Sequence, residues 1–140
     1  MTRLVVGITG ASGAIYGIRL LEVVRTTTDI ELHLIVSAAG KRTLVEETDY
    51  GVADVEALEH HRYELRDIGA TVASGSFQTG GMVIAPCSIK TMAEIATGVT
   101  ANLLSRAADN WRPEGWLAQL GWIGRLGHEG GLFFTVGRRT

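Results

Sequence analysis

Cysteine is almost missing from this 140-residue chain, in which Cys87 stands alone. A single thiol excludes an internal disulfide framework and any metal site built from several cysteines, and no metal is expected. An excess of charge is missing too: thirteen basic residues meet fifteen acidic ones, for a net charge of −2. No field suited to a polyanion arises, so nucleic acid is not expected as a partner. No apolar run approaches the length of a membrane span, and the first residues show no charged-then-apolar segment before a cleavage site. The expectation is a soluble cytoplasmic protein with no membrane partner. Its length suits one domain that buries roughly two-thirds of its unfolded surface.

Two nucleotide signatures are also lacking. The chain contains no G-x-x-x-x-G-K-[ST] string for a nucleotide triphosphate. The dinucleotide fingerprint G-x-G-x-x-G is replaced by Gly7-x-x-Gly10-x-x-Gly13, and the second apolar run ends at the neutral Ser37, where a ribose hydroxyl would want an acidic residue.

What is present is a glycine-rich turn, Gly7-Ile8-Thr9-Gly10-Ala11-Ser12-Gly13, directly after Leu4-Val5-Val6. It reads as a buried strand that stops at a turn and opens into a helix near Ala14. That geometry aims backbone N–H groups and the positive end of a helix dipole at one point, where a phosphate can sit. Thr9 and Ser12 can add hydroxyl donors there. Tight strand–helix packing alone is the other reading of the same glycines.

Strand and helix patterns then alternate. Arg3 to Ile8 reads as a strand, Ala14 to Arg25 as a helix with an apolar face, Glu31 to Val36 as a strand and Ala38 to Glu47 as a helix. Val52 to Leu58 reads as a short helix, and Glu59 to Arg66 as a charged, solvated stretch. His60 and His61 are adjacent, so they do not share a helix face and do not read as a metal pair. A loop containing Ser74-Gly75-Ser76 and Thr79-Gly80-Gly81 leads to Met82-Val83-Ile84-Ala85, a short buried strand ending at Pro86. Helical patterns follow through Met92, Ile95 and Ala96, and again over Asn102 to Asp109. Such alternation implies right-handed βαβ crossovers and a parallel sheet. Ligands of these sheets bind beyond the strands' C-terminal ends, which brings together Thr9–Gly13, Ser37 and Cys87–Thr91.

With these loops assembled, the chain resembles the flavin prenyltransferase (UbiX) family. The matching segments are 6–17, Glu46-Glu47-Thr48-Asp49, Ala73-Ser74-Gly75-Ser76-Phe77, Pro86-Cys87-Ser88-Ile89-Lys90-Thr91 and 102–109, co-linear over residues 3 to 109. The resemblance implies an α/β, flavodoxin-like (Rossmann-type) three-layer sandwich with a parallel sheet, which binds FMN and assembles as a homo-oligomer. It implies transfer of a dimethylallyl group from dimethylallyl phosphate to reduced FMN. The product, prenylated FMN, would serve a UbiD-type decarboxylase. Carried over residue by residue, Gly10, Ala11, Ser12, Ser37, Ser88, Ile89, Lys90 and Thr91 would bind FMN. Ser12 would lie near flavin N5, and Glu47 would handle protons. Read without the resemblance, Glu47 is a helix-end surface carboxylate, and Ser88 and Thr91 are the cap and first turn of a helix. Cys87 reads as a small packed residue. Two other readings stand beside this one: a catalytically dead FMN-binding or oligomerising remnant, and a flavin-dependent cysteine decarboxylase.

The chain departs from the family pattern twice. Ala38 replaces the lysine that the family usually carries after Ser37, which removes one charge near the flavin loop. After Asp109 the pattern stops: residues 110–140 hold all three tryptophans, seven glycines and no lysine. The expectation is an FMN-binding domain over 1–109 that is C-terminally incomplete, followed by an atypical tail over 110–140 from a frameshifted or truncated reading frame. Half of the family's prenyl-phosphate site then has no counterpart, and one face or edge of the sheet is left exposed.

Overall fold

A computed structural model describes residues 2–27, 29–59, 61–63, 80–110, 116–126 and 129–138. The first apolar run forms β1 (Thr2–Ile8), and the glycine turn leads into α1 (Ala14–Arg25). Then come β2 (Ile30–Val36), α2 (Ala38–Glu47), the short α3 (Val52–Glu56) and β3 (His61–Tyr63). β4 (Gly81–Ile84) is followed by α4 (Ile89–Thr97) and α5 (Leu103–Asn110), and β5 (Trp116–Leu126) and β6 (Glu129–Arg138) close the chain.

The sheet order is β3-β2-β1-β4-β6-β5. β1 pairs in parallel with both β2 and β4, as Val6↔Leu34 and Val6↔Val83, so the first strand lies at the centre. Successive side chains of a strand point to opposite faces, and each face carries its own core. Val6, Ile8, Leu32, Leu34 and Val36 pack with Ile18 and Leu21 of α1, Leu44 of α2 and Val55 of α3. Val5, Ile35, Met82 and Ile84 pack with Ile95 of α4 and Leu103, Leu104 and Ala107 of α5. The expected three-layer flavodoxin-like sandwich is therefore the observed one.

Three expectations change. The stretch read as charged and solvated contributes β3, a parallel partner of β2 through His33↔His61 and Ile35↔Tyr63. The sheet is mixed, because β6 runs antiparallel to β4 and β5 antiparallel to β6. Where an exposed face or edge of the sheet was expected, the side of β4 away from β1 is paired with β6. The Ala73–Phe77 motif, the loop up to Thr79 and His60 lie outside the described residues. Among the described residues no helix is long and apolar enough to cross a membrane.

Candidate functional site

The site lies at the C-terminal end of the sheet, where β1, β2 and β4 hand over to α1, α2 and α4. Thr9 stitches the loops together. It is buried, its hydroxyl donates to the Pro86 carbonyl at 2.7 Å, and its oxygen accepts from the Ser88 amide at 2.8 Å. Its side chain is therefore spent on the scaffold and is not the free phosphate donor the sequence suggests.

Two helices start beside this stitch with serine caps. Ser37 Oγ accepts from the Gly40 amide at 2.9 Å, and Ser88 Oγ accepts from the Thr91 amide at 3.2 Å. Each bond satisfies one of the amides that a helix start leaves without an internal partner. α2 sits hard against the glycine turn: a Cβ on Gly10 would meet Ala39 Cβ at 2.5 Å, and Thr43 Oγ1 donates to the Gly10 carbonyl at 3.1 Å. Between the two starts opens a cavity of about 430 Å³ lined by Gly10, Ser37, Ser88, Lys90 and Thr91, together with Thr9, Ala38, Ala39, Arg42, Glu94 and Asn102. The lining brings together two helix-dipole ends and two cations against a single carboxylate, a setting that favours an anionic ligand.

α1 starts differently. Its cap position, Gly13, adopts φ 104°, a left-handed conformation that costs other residues energy, and offers no side-chain cap. Glu47, the last residue of α2, supplies the cap instead. Its Oε2 accepts from the Gly13 and Ala14 amides at 3.0 and 3.3 Å, and its Oε1 accepts from Ser12 Oγ at 2.7 Å. The amides that the sequence offers to a phosphate are thus held by an internal carboxylate. The phosphate-like environment lies one loop away, at α2 and α4.

Of the expected flavin-binding residues, Gly10, Ser37, Ser88, Lys90 and Thr91 line the cavity, whereas Ala11, Ser12 and Ile89 do not. Ile89 is 74% exposed. Ser12 and Glu47 are joined to each other and are not among the lining residues. Sequence reading missed Arg42, Glu94 and Asn102. Arg42 and Glu94 each stand one helical turn beyond a cavity-lining position, Ala38 and Lys90, and that spacing was the available signal. Asn102 lines the cavity while its Oδ1 accepts from the Ser105 amide at 3.1 Å at the start of α5.

Cys87 is buried in the α4–α5 core, and burial pushes its thiol up to about 12. It is a packed residue, as its isolation suggests, and not a nucleophile. Behind the Glu47 cap, Tyr50 donates to Glu22 Oε1 on α1, and Arg19 pairs with the same carboxylate at 2.6 Å. The Tyr50 hydrogen bond, followed by that of Arg19, holds the Glu22 carboxyl below its usual range. These contacts tie the segment following α2 to α1. Among the described residues, no group of three or more His, Cys, Asp or Glu side chains could hold a metal ion.

A family model described as Flavoprotein matches residues 1–117. This chain belongs to the flavoprotein family. Within that family it is 58% identical over 109 residues to the flavin prenyltransferase UbiX of Escherichia coli K12, covering 78% of this chain and 58% of that one. The chain thus spans less than two-thirds of the length of this relative. Among solved structures it is similar to a dodecameric FMN-dependent UbiX-like decarboxylase from Escherichia coli O157:H7, with a TM-score of 0.77, 44% identity and coverage of 78% and 60% of the two chains. It is also similar to AnUbiX (PadA1) in complex with FMN and dimethylallyl pyrophosphate, with a TM-score of 0.75, 42% identity and coverage of 78% and 57%. These likenesses place the chain beside UbiX-type flavoproteins.

Proposed function

We propose that this flavoprotein is a flavin prenyltransferase that joins a dimethylallyl group from dimethylallyl phosphate to reduced FMN. The product would pass to a UbiD-type decarboxylase. The observation that carries this reading is the cavity between the serine-capped starts of α2 and α4. About 430 Å³ lies in the range of small-molecule sites, and two cations with two helix starts fit a ligand bearing a phosphate. The dodecameric relative supports a homo-oligomer, and we place the protein in the cytoplasm.

In this reading Gly10, Ala11, Ser12, Ser37, Ser88, Ile89, Lys90 and Thr91 hold FMN, with backbone amides and hydroxyls meeting its polar atoms. Reduced FMN, when bound, supplies the nucleophilic positions that accept the prenyl group. The leaving phosphate and the allylic cation both need stabilisation as the C–O bond opens. Glu47 would take up the proton released as the new ring closes, with the Ser12 hydroxyl, hydrogen-bonded to it at 2.7 Å, as the first relay. The division into an FMN-binding part over 1–109 and an atypical tail over 110–140 belongs to the same proposal; the 109-residue length of the identity to UbiX supports it, while the family model runs on to residue 117.

Anaerobic incubation of the 140-residue chain with reduced FMN and dimethylallyl phosphate, read by flavin mass, tests the reading. A gain of one prenyl unit supports the reading and means that residues 110–140 complete the prenyl-phosphate site. Flavin that stays bound but unmodified would replace this reading with a binding-only role, and the absence of bound flavin would remove both.

A further inference from the structure

Lys41 and Arg42 are consecutive cations on α2, and they have different company. Lys41 Nζ lies 3.9 Å from Glu56 Oε1 on α3. Arg42 lines the cavity and makes no ion pair with any described residue. Ala38, one turn earlier on the same helix face, lines the cavity as well and leaves that first turn without a charge.

The two walls of the cavity differ in charge. On α4, Lys90 and Glu94 both line it four residues apart, so that wall carries a cation and an anion that offset each other. On α2, Arg42 is the single charged residue of the lining, beside the Ser37-capped helix start. A phosphate entering the cavity therefore meets net positive charge on α2 and near-neutrality on α4. The planar guanidinium offers two parallel N–H donors that match phosphate oxygens.

We infer that Arg42 is the residue that binds the phosphate of the flavin mononucleotide, supplying from the second turn of α2 the charge that Ala38 leaves out of the first. This rests on the reading of the cavity as the FMN site. It assigns a role to a residue outside the family motifs and orients the ligand, with its phosphate toward α2.

The experiment compares FMN with riboflavin, which carries the same ring and no phosphate. The full-length apoprotein and its Arg42→Gln variant are titrated with each, reading flavin fluorescence at low and high salt. Arg42 is exposed on the helix surface, so the variant keeps the fold, which a melting curve checks. Loss of a charge-assisted phosphate contact is expected to weaken FMN by about 10- to 100-fold. Riboflavin affinity should stay within about twofold, and the salt dependence of FMN binding should flatten. Adding Ala38→Lys to the variant should restore part of the FMN affinity. Unchanged FMN affinity, or equal losses for FMN and riboflavin, overturns the assignment while leaving the flavin site intact. Wild-type protein that binds neither flavin overturns the site together with it.

Discussion

Three helices start at the same end of the sheet, and their first turns meet different fates. α1 follows the glycine turn that looks most like a phosphate loop, yet its Gly13 and Ala14 amides are taken by Glu47. α2 and α4 begin with ordinary serine caps, and their starts face an open cavity. A helix dipole attracts whatever anion the fold delivers to it, and at α1 the fold delivers its own carboxylate. Of these three starts, the two that no side chain from another described element caps are the ones that face the cavity.

Removing the internal anion gives the largest expected effect. On the proposed role of Glu47, Glu47→Ala is expected to slow prenyl transfer by about 100-fold or more. It should also cost about 1 kcal/mol of stability through the lost cap. FMN affinity should hardly change. If the α1 amides were the phosphate site, the same variant would instead bind FMN more tightly, and a flavin titration alongside single-turnover mass analysis separates the cases.

Next in size are the caps at the open starts. Ser37→Ala and Ser88→Ala should each cost about 1 kcal/mol, or roughly 3 °C of melting temperature. Both should weaken FMN, unlike Glu47→Ala. A fall in stability with full flavin affinity would mean that the two serines serve their helices alone.

Cys87 sharpens the comparison from the core side. It directly precedes the α4 cap, where a thiol facing the dipole would be acidified, but it lies buried against α4 and α5 with its thiol raised to about 12. At pH 8 it should resist thiol reagents in the folded protein and react promptly once denatured. The unfolded thiol titrates near 8.5, so the folded form keeps a proton that the unfolded form loses. Stability from this group is therefore complete below about pH 8.5 and declines as pH rises toward about 12. Denaturant titrations of wild type and Cys87→Ala across that range measure the difference.

The smallest effect is expected at Tyr50. Tyr50→Phe removes the hydrogen bond to Glu22 that holds the segment after Glu47 against α1. Its melting temperature should fall by less than that of Ser88→Ala, and prenyl transfer should drop by less than for Glu47→Ala. A drop in transfer as deep as that of Glu47→Ala would make Tyr50 part of the proton path.

The helix over Ala14–Arg25 was legible from its apolar face after the glycine turn, and the helix over Ala38–Glu47 from the Ser37 cap that starts it. β3 was not legible. His61-Arg62-Tyr63 has neither the length nor the alternation of a strand, and it becomes one by pairing with the free edge of β2. The hairpin of β5 and β6 is a strand pair for the same reason, since its place in the sheet comes from β4. At the site, Ser37 and Ser88 were readable as caps, whereas the reach of Glu47 to Gly13 spans 34 positions, a distance that no local spacing encodes.

By itself the sequence determined the alternation of strands and helices, the loops that carry the chemistry, and the end of the sheet on which they gather. Those properties follow from the apolar period and turn chemistry of neighbouring residues. Only the tertiary structure decided which helix start is filled and which is open, and which of two adjacent cations faces Glu56 and which the cavity. Those outcomes depend on where the end of one helix meets the beginning of another, and that meeting is set by the packing of both onto the sheet.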